Sequence, residues 1–106
     1  MSKTLLITGG SRGIGAATAL LAAEQGWSIA ISYRNNASAA NQVVTQIHEL
    51  GAQAIAIQAD VRSERDIISL FKKTQSQLGA IKGFVNNAGI ITPISTLADM
   101  SAERIQ

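Results

Sequence analysis

The chain has 106 residues, enough for one domain around one core, and its 46% apolar and 15% charged residues are the proportions of a soluble globular protein rather than a disordered one. A formal net charge of +2 is too small to point to nucleic acid or an anionic membrane as partner, and the absence of cysteine excludes a disulfide framework and a thiolate metal site; no metal ligand set is expected. The opening MSKTLLITGG holds only a four-residue apolar run, too short for a secretory signal, and no run approaches membrane-spanning length, so a cytoplasmic protein is expected.

Short apolar runs alternate with longer segments of helical period. Thr4–Thr8 reads as a buried strand closed by Gly9 and Gly10. Gly13–Gln25 reads as a helix stopped by Gly26, with Ile14, Ala17, Leu21 and neighbouring alanines as its expected inner face. Ser28–Tyr33 is a second strand. Asn36 is placed to cap a helix from Ala37 to Leu50, with Val43, Val44, Ile47 and Leu50 on one face and Gly51 beyond. Ala54–Gln58 is a third strand. Ser63–Asp66, SERD, resembles a capping box with Asp in place of Glu and opens a helix to Leu78, with Ile67, Leu70, Phe71 and Leu78 inward and Gly79 after it. Phe84–Asn86 is the core of a fourth strand, followed by the loop NAGIITPIST, and a further helix starts near Ser101 and is cut off at Gln106.

This alternation predicts right-handed βαβ units and a parallel sheet. The runs LLI, IAI and AIAI are continuously apolar, as strands buried on both faces should be. In such a sheet the first strand-to-helix turn delivers a helix N-terminus at the strands' carboxyl edge, where free amides and the helix dipole attract phosphate. Here that turn is TGGSRGIG, residues 8 to 15. The spacing Gly9-x-x-x-Gly13-x-Gly15 is neither G-x-G-x-x-G nor a P-loop, since Ala16 follows Gly15 where Lys and Ser or Thr would be needed.

TGGSRGIG resembles the T-G-x-x-x-G-x-G signature of the short-chain dehydrogenase/reductase family. NNAG, residues 86 to 89, and Asp60-Val61 after the third strand match two further motifs of that family, in the same order. The resemblance runs over the whole chain. It implies a Rossmann-type α/β fold, a three-layer α/β/α sandwich with strand order 3-2-1-4 ending after the fourth strand, that binds a nicotinamide dinucleotide. The residues it singles out for the cofactor are Gly9, Ser11, Arg12, Gly13, Ile14, Gly15, Asp60, Val61, Asn87, Ala88 and Gly89. Asp60 would accept a hydrogen bond from the adenine amino group, and an asparagine of the NNAG segment would tie neighbouring loops together.

The end of the second strand bears on which dinucleotide. An NAD site places Asp or Glu about 20 residues past the glycines to hold the ribose 2′-hydroxyl. This chain has Arg34 there, in SYRNN, with no carboxylate in the stretch. A guanidinium grips a 2′-phosphate that a carboxylate would repel. Arg12 and Arg34 are expected to hold it from two sides, together contributing on the order of 2–3 kcal/mol, about 30- to 150-fold in affinity. NADP(H) is therefore expected over NAD(H).

Other residues draw less weight. His48, the only histidine, reads as a helix-surface residue, Lys72-Lys73 as a solvated face, and Trp27 as packing at the base of the first helix. Tyr33 is followed four residues on by Ala37, so it does not start the family's Tyr-x-x-x-Lys pattern. That pattern, the family's serine and its asparagine have no counterpart in these 106 residues. The expectation is that residues 1–106 are the amino-terminal part of one incomplete dinucleotide-binding domain, without catalytic residues and inactive alone. The parent would be a homo-oligomeric oxidoreductase acting on a carbonyl or alcohol. A non-catalytic dinucleotide-binding module and an inactive remnant stay open.

Overall fold

The computed structural model describes residues 3–11 and 13–87. Strands and helices alternate along them: β1 Lys3–Thr8, α1 Gly13–Glu24, β2 Trp27–Tyr33, α2 Ala37–Glu49, β3 Ala54–Gln58, α3 Glu64–Leu78 and β4 Ile81–Asn86. Every strand pair is parallel, as the alternation predicts, and the strands lie in the order β3-β2-β1-β4 that the resemblance implies. The loop from Ala88 and the helix expected near Ser101 lie outside the described residues.

Side chains along a strand alternate between faces, and β1 uses both. Leu5 and Ile7 pack on one side with Ile29 and Ile31 of β2, Ala19 and Ala23 of α1, and Val43 and Ile47 of α2. Leu6 packs on the other with Ala30, Ile57 and the α3 residues Leu70 and Phe71. The sheet is thus covered by α1 and α2 on one face and α3 on the other, the three-layer arrangement of a Rossmann-type fold. Leu6, Ile7, Ile29, Ile31, Ile47 and Leu70 are sealed from solvent. Each such burial stabilises by about 1.5–3 kcal/mol. The Phe71 and Phe84 rings meet at a centroid distance of 5.5 Å, tilted by 42°, and fasten α3 to β4. Thr4, fully buried, donates its hydroxyl to the Leu78 carbonyl at 3.0 Å, so the start of β1 holds the end of α3.

Two helix starts form as their sequences suggest, one with a change of partner. The Asn36 Oδ1 accepts from the Ala39 amide at 3.0 Å and caps α2. The Ser63 Oγ accepts from the Asp66 amide at 3.3 Å and caps α3. The second half of the expected capping box is absent. The Ser63 amide donates to the Asp60 carbonyl at 2.9 Å, and the Asp66 carboxylate instead accepts from the Asp60 amide at 2.8 Å. Asp66 therefore braces the loop after β3.

The inner face of α1 differs from the expected one. Gly15, Ala19 and Ala23 are buried, whereas Ile14 is 76% and Leu21 63% exposed, and Ala17 is exposed. The cause is steric. GIGAATALLAAE is apolar nearly all round, so no polar stripe marks an outer face, and only its smallest residues let the helix axis lie close to the sheet. Leu50 also departs from expectation: it caps the end of α2 and is 47% exposed rather than packed inward. Trp27 begins β2 and packs partly buried against the cluster under α1, with the Lys3 ammonium 4.6 Å above its ring. His48 is exposed, as expected, and its Nε2 lies 3.3 Å from the Ala54 carbonyl, to which it donates.

Candidate functional site

The four glycines from the end of β1 to the first turn of α1 divide into two pairs with different tasks. Gly9 and Gly13 have φ of 68° and 63°, the left-handed region that favours glycine. Gly10 and Gly15 are required by space. A Cβ on Gly10 would lie 2.5 Å from the Ile31 Cγ2 and 2.7 Å from its Cβ. A Cβ on Gly15 would lie 2.5 Å from the Gly9 carbonyl oxygen and 2.6 Å from the Asn87 Nδ2. The turn is thus folded back against β2 and β4 with no room for one carbon.

Hydrogen bonds hold it there. The Gly9 amide donates to the Ser32 Oγ at 3.2 Å, the Gly10 amide donates to the Ser32 carbonyl at 3.2 Å, and the Asn87 Nδ2 donates to the Gly9 carbonyl at 3.3 Å. Both polar groups of Gly9 are committed within the protein, so Gly9 shapes the turn instead of offering its amide to a ligand. The amides of Gly13, Ile14 and Gly15 belong to the first turn of α1, where helix geometry provides no intrahelical acceptor. Among the described residues no side chain accepts from that turn, in contrast to the caps on α2 and α3.

The asparagine pair ties β4 to β1. The Thr8 hydroxyl donates to the Asn86 Oδ1 at 2.9 Å and accepts from the Asn87 amide at 3.1 Å. With the Asn87–Gly9 bond, these contacts join the carboxyl ends of the two strands side by side.

On the other side, the ends of β2 and β3 carry charge. The Gln58 Nε2 donates to the Arg34 carbonyl at 3.1 Å and the Ala59 amide to the Tyr33 carbonyl at 2.9 Å, fixing the backbone under Arg34. The exposed Arg34 guanidinium makes no hydrogen bond or ion pair with a described residue. Asp60, after β3, is forked by Arg62: Nε to Oδ1 at 3.1 Å and Nη2 to Oδ2 at 3.0 Å, with the Arg62 amide also on Oδ1 at 3.0 Å. These bonds to Arg62 first, and the charge of Arg34 last, hold the Asp60 carboxyl down at about 2. The same pair raises Arg62 above the usual guanidinium value.

A cavity of about 580 Å³ opens between these two sides at the carboxyl ends of the strands, within the ordinary size of a ligand site. Gly9, Ser11, Arg34, Asp60, Val61 and Asn87, all picked from the sequence, line it together. Gly13, Ile14 and Gly15 are not part of its lining; Gly15 is buried beneath the turn and the Ile14 side chain faces solvent. Arg12, Ala88 and Gly89 lie outside the described residues. Six lining residues were not picked from the sequence as cofactor contacts, Ser32, Tyr33, Asn35, Asn36, Ala59 and Arg62. Ser32 had one signal, a polar residue near the carboxyl end of a largely apolar strand, where it is 1% exposed. Arg62 had none beyond standing two residues after an aspartate, a spacing at which a loop can turn back on itself. Among the described residues there is no cluster of metal-ligating side chains, and no helix is long and apolar enough to cross a membrane.

A parallel sheet with a glycine turn, a free helix start and a cavity at its carboxyl edge defines the class of open α/β nucleotide-binding proteins. Comparison with known proteins narrows this class. The family model for short chain dehydrogenases matches residues 3–106, and the chain belongs to that family of oxidoreductases, whose members bind nicotinamide dinucleotides. It is 41% identical over 100 residues to an uncharacterized oxidoreductase, YgfF, of Escherichia coli K12, covering 94% of this chain and 40% of that protein. It is 41% identical over 90 residues to the 3-oxoacyl-[acyl-carrier-protein] reductase FabG of Staphylococcus aureus, covering 85% of this chain and 37% of that one. Among solved structures, a dehydrogenase/reductase from Sinorhizobium meliloti 1021 superposes with a TM-score of 0.81 at 41% identity, over 90% of this chain and 39% of that one. A hydroxysteroid dehydrogenase from Escherichia coli gives 0.77 at 38% identity, over 88% and 42%. The chain therefore spans about two-fifths of the length of the relatives it matches.

Proposed function

We propose that this chain is the cofactor-binding part of an NADP(H)-preferring oxidoreductase that acts on a small carbonyl compound or secondary alcohol in a cytoplasmic, homo-oligomeric parent. The observation that carries the cofactor preference is the end of β2. Arg34 lines the cavity there with its guanidinium unpaired among the described residues, and SYRNN supplies no carboxylate to bind a ribose 2′-hydroxyl or repel a 2′-phosphate. FabG, one of the relatives, is by name a reductase of a ketone group, which supports the carbonyl class.

The residues present fit the adenosine half of such a cofactor. The first turn of α1 offers amides to the diphosphate, Arg34 meets the 2′-phosphate, and Asp60 with Val61 lines the far wall where a base would lie. Ser32 and Asn87 keep the turn in shape, and the missing Cβ atoms of Gly10 and Gly15 let it sit back from the ligand. When bound, the nicotinamide supplies the hydride chemistry; these residues bind and orient the other end of the molecule.

The test is a fluorescence titration of NADPH and NADH against the chain and its Arg34→Asp variant. NADPH is expected to bind at least about tenfold more tightly than NADH, and Arg34→Asp to abolish or reverse the preference without loss of the fold. Equal affinity of the native chain for both would contradict the proposal. The chain alone is expected to oxidise no NADPH with any carbonyl substrate.

A further inference from the structure

Arg34 stands just past the end of β2, where the chain bends, and the last rung of the β2–β3 pairing is Tyr33 against Gln58. Beyond that rung the sheet no longer holds the backbone. The chain is fixed again at Asn36, which caps α2 through its Oδ1 and accepts the Ala40 amide on its carbonyl at 3.2 Å. Arg34 and Asn35 therefore bridge two anchored ends. Among the described residues one hydrogen bond reaches this bridge: the Gln58 Nε2 donates to the Arg34 carbonyl at 3.1 Å. Gln58 is exposed and is not part of the cavity lining, whereas Arg34 and Asn35 are. A ligand in the cavity meets Arg34 and not Gln58.

We infer that Gln58 is a positioning residue for the choice between the two dinucleotides: its side-chain amide stands in for a strand partner of Arg34 and holds that residue in the direction from which it meets the 2′-phosphate. The inference rests on the proposed cofactor preference and adds to it a residue that does not touch the ligand. The bond fixes the peptide that follows the Arg34 Cα, and with it the direction in which the side chain leaves the backbone. A guanidinium is a planar fork, so two-pronged contact with a phosphate demands a set line of approach. An arginine gives up much rotamer freedom when it is fixed, and a backbone free to swing would add the cost of fixing its own dihedrals. A backbone held before the ligand arrives has met that cost in folding, so more of the phosphate's attraction appears as affinity. NADH carries no phosphate at that position and is indifferent to the bond.

The experiment titrates NADPH and NADH against the native chain, Gln58→Met, Arg34→Ala and the double variant. Methionine keeps the length and bulk of glutamine and lacks the donor. Gln58→Met is expected to weaken NADPH binding about three- to fivefold, the scale of one exposed neutral hydrogen bond, and to leave NADH binding unchanged. In the Arg34→Ala background the same change should have no effect on NADPH, because Gln58 acts through Arg34. A second readout needs no nucleotide. Backbone-amide relaxation in NMR should show Arg34 and Asn35 less ordered in Gln58→Met than in the native chain. An unchanged NADPH-to-NADH ratio in Gln58→Met, a parallel fall for both nucleotides, or the same loss in the Arg34→Ala background overturns the inference alone. So do Arg34 and Asn35 amides that stay as ordered in Gln58→Met as in the native chain. Absence of any NADPH preference in the native chain overturns the proposed function and this inference with it.

Discussion

On the β1 side of the cavity Gly10 and Gly15 leave no space for a single carbon, while on the β2–β3 side Arg34 and Arg62 stand exposed to solvent. The first side is built by contact: backbone against Ile31 and Asn87, hydrogen bonds to Ser32, and no charged group among its described residues. The second is built by charge on short loops. A change on the first side should therefore cost stability and reach the ligand only through the fold. A change on the second should alter which ligand binds and leave the fold almost untouched. The division fits a site in which one wall makes room for a diphosphate common to many nucleotides and the other chooses among them.

Four substitutions would break or sharpen that contrast. Gly15→Ala should be the most damaging, because its new Cβ meets the Gly9 carbonyl and Asn87; a loss of about 3 kcal/mol is expected in a denaturant titration. A loss under about 0.5 kcal/mol would mean the turn is not packed as described. Ala19→Leu, on the buried face of α1, should cost about 2 kcal/mol, while Leu21→Gln on the exposed face should change stability by less than about 0.5 kcal/mol. The reverse order would restore the helix face expected from the sequence. Ser32→Ala removes the acceptor of the Gly9 amide and should cost about 1–2 kcal/mol by thermal melting, with the NADPH-to-NADH ratio unchanged.

Arg62→Gln should have the smallest effect on stability, and that effect should depend on pH. The Asp60 carboxyl falls from 3.8 to about 2 on folding, so its stabilisation is fully present above 3.8 and is lost as pH drops through about 2. The stability gap between the native chain and Arg62→Gln should thus be constant above about pH 5 and close between pH 4 and 2. A gap independent of pH over that range would show that Arg62 stabilises the loop without its carboxylate partner.

The sequence of strands and helices was readable because glycines and apolar runs punctuate the chain. Gly26, Gly51 and Gly79 follow the three helices, and the continuous runs of β1, β2 and β3 announce burial on both faces. Arg34 was readable as well, since the strand it follows fixes its place at the carboxyl edge. The facing of α1 was not. Its residues differ in size far more than in polarity, and the choice of Gly15, Ala19 and Ala23 over Ile14 and Leu21 follows from how closely the helix approaches the sheet. The Asp60–Arg62 fork and the change of partner at Asp66 depend on the shape of one loop, which residue type and spacing leave open. The commitment of the Gly9 amide to Ser32 belongs to the same kind, a contact between two strands' ends that neither segment reveals by itself.

The most direct test is a crystal structure of the chain, or of the full-length protein that contains it, with NADPH bound. The account predicts the diphosphate over the first turn of α1, the 2′-phosphate in two-pronged contact with Arg34, and the adenine amino group on the Asp60 Oδ2. A nucleotide bound elsewhere, or an Arg34 guanidinium directed into solvent with the ribose 2′ position held by another group, would contradict it.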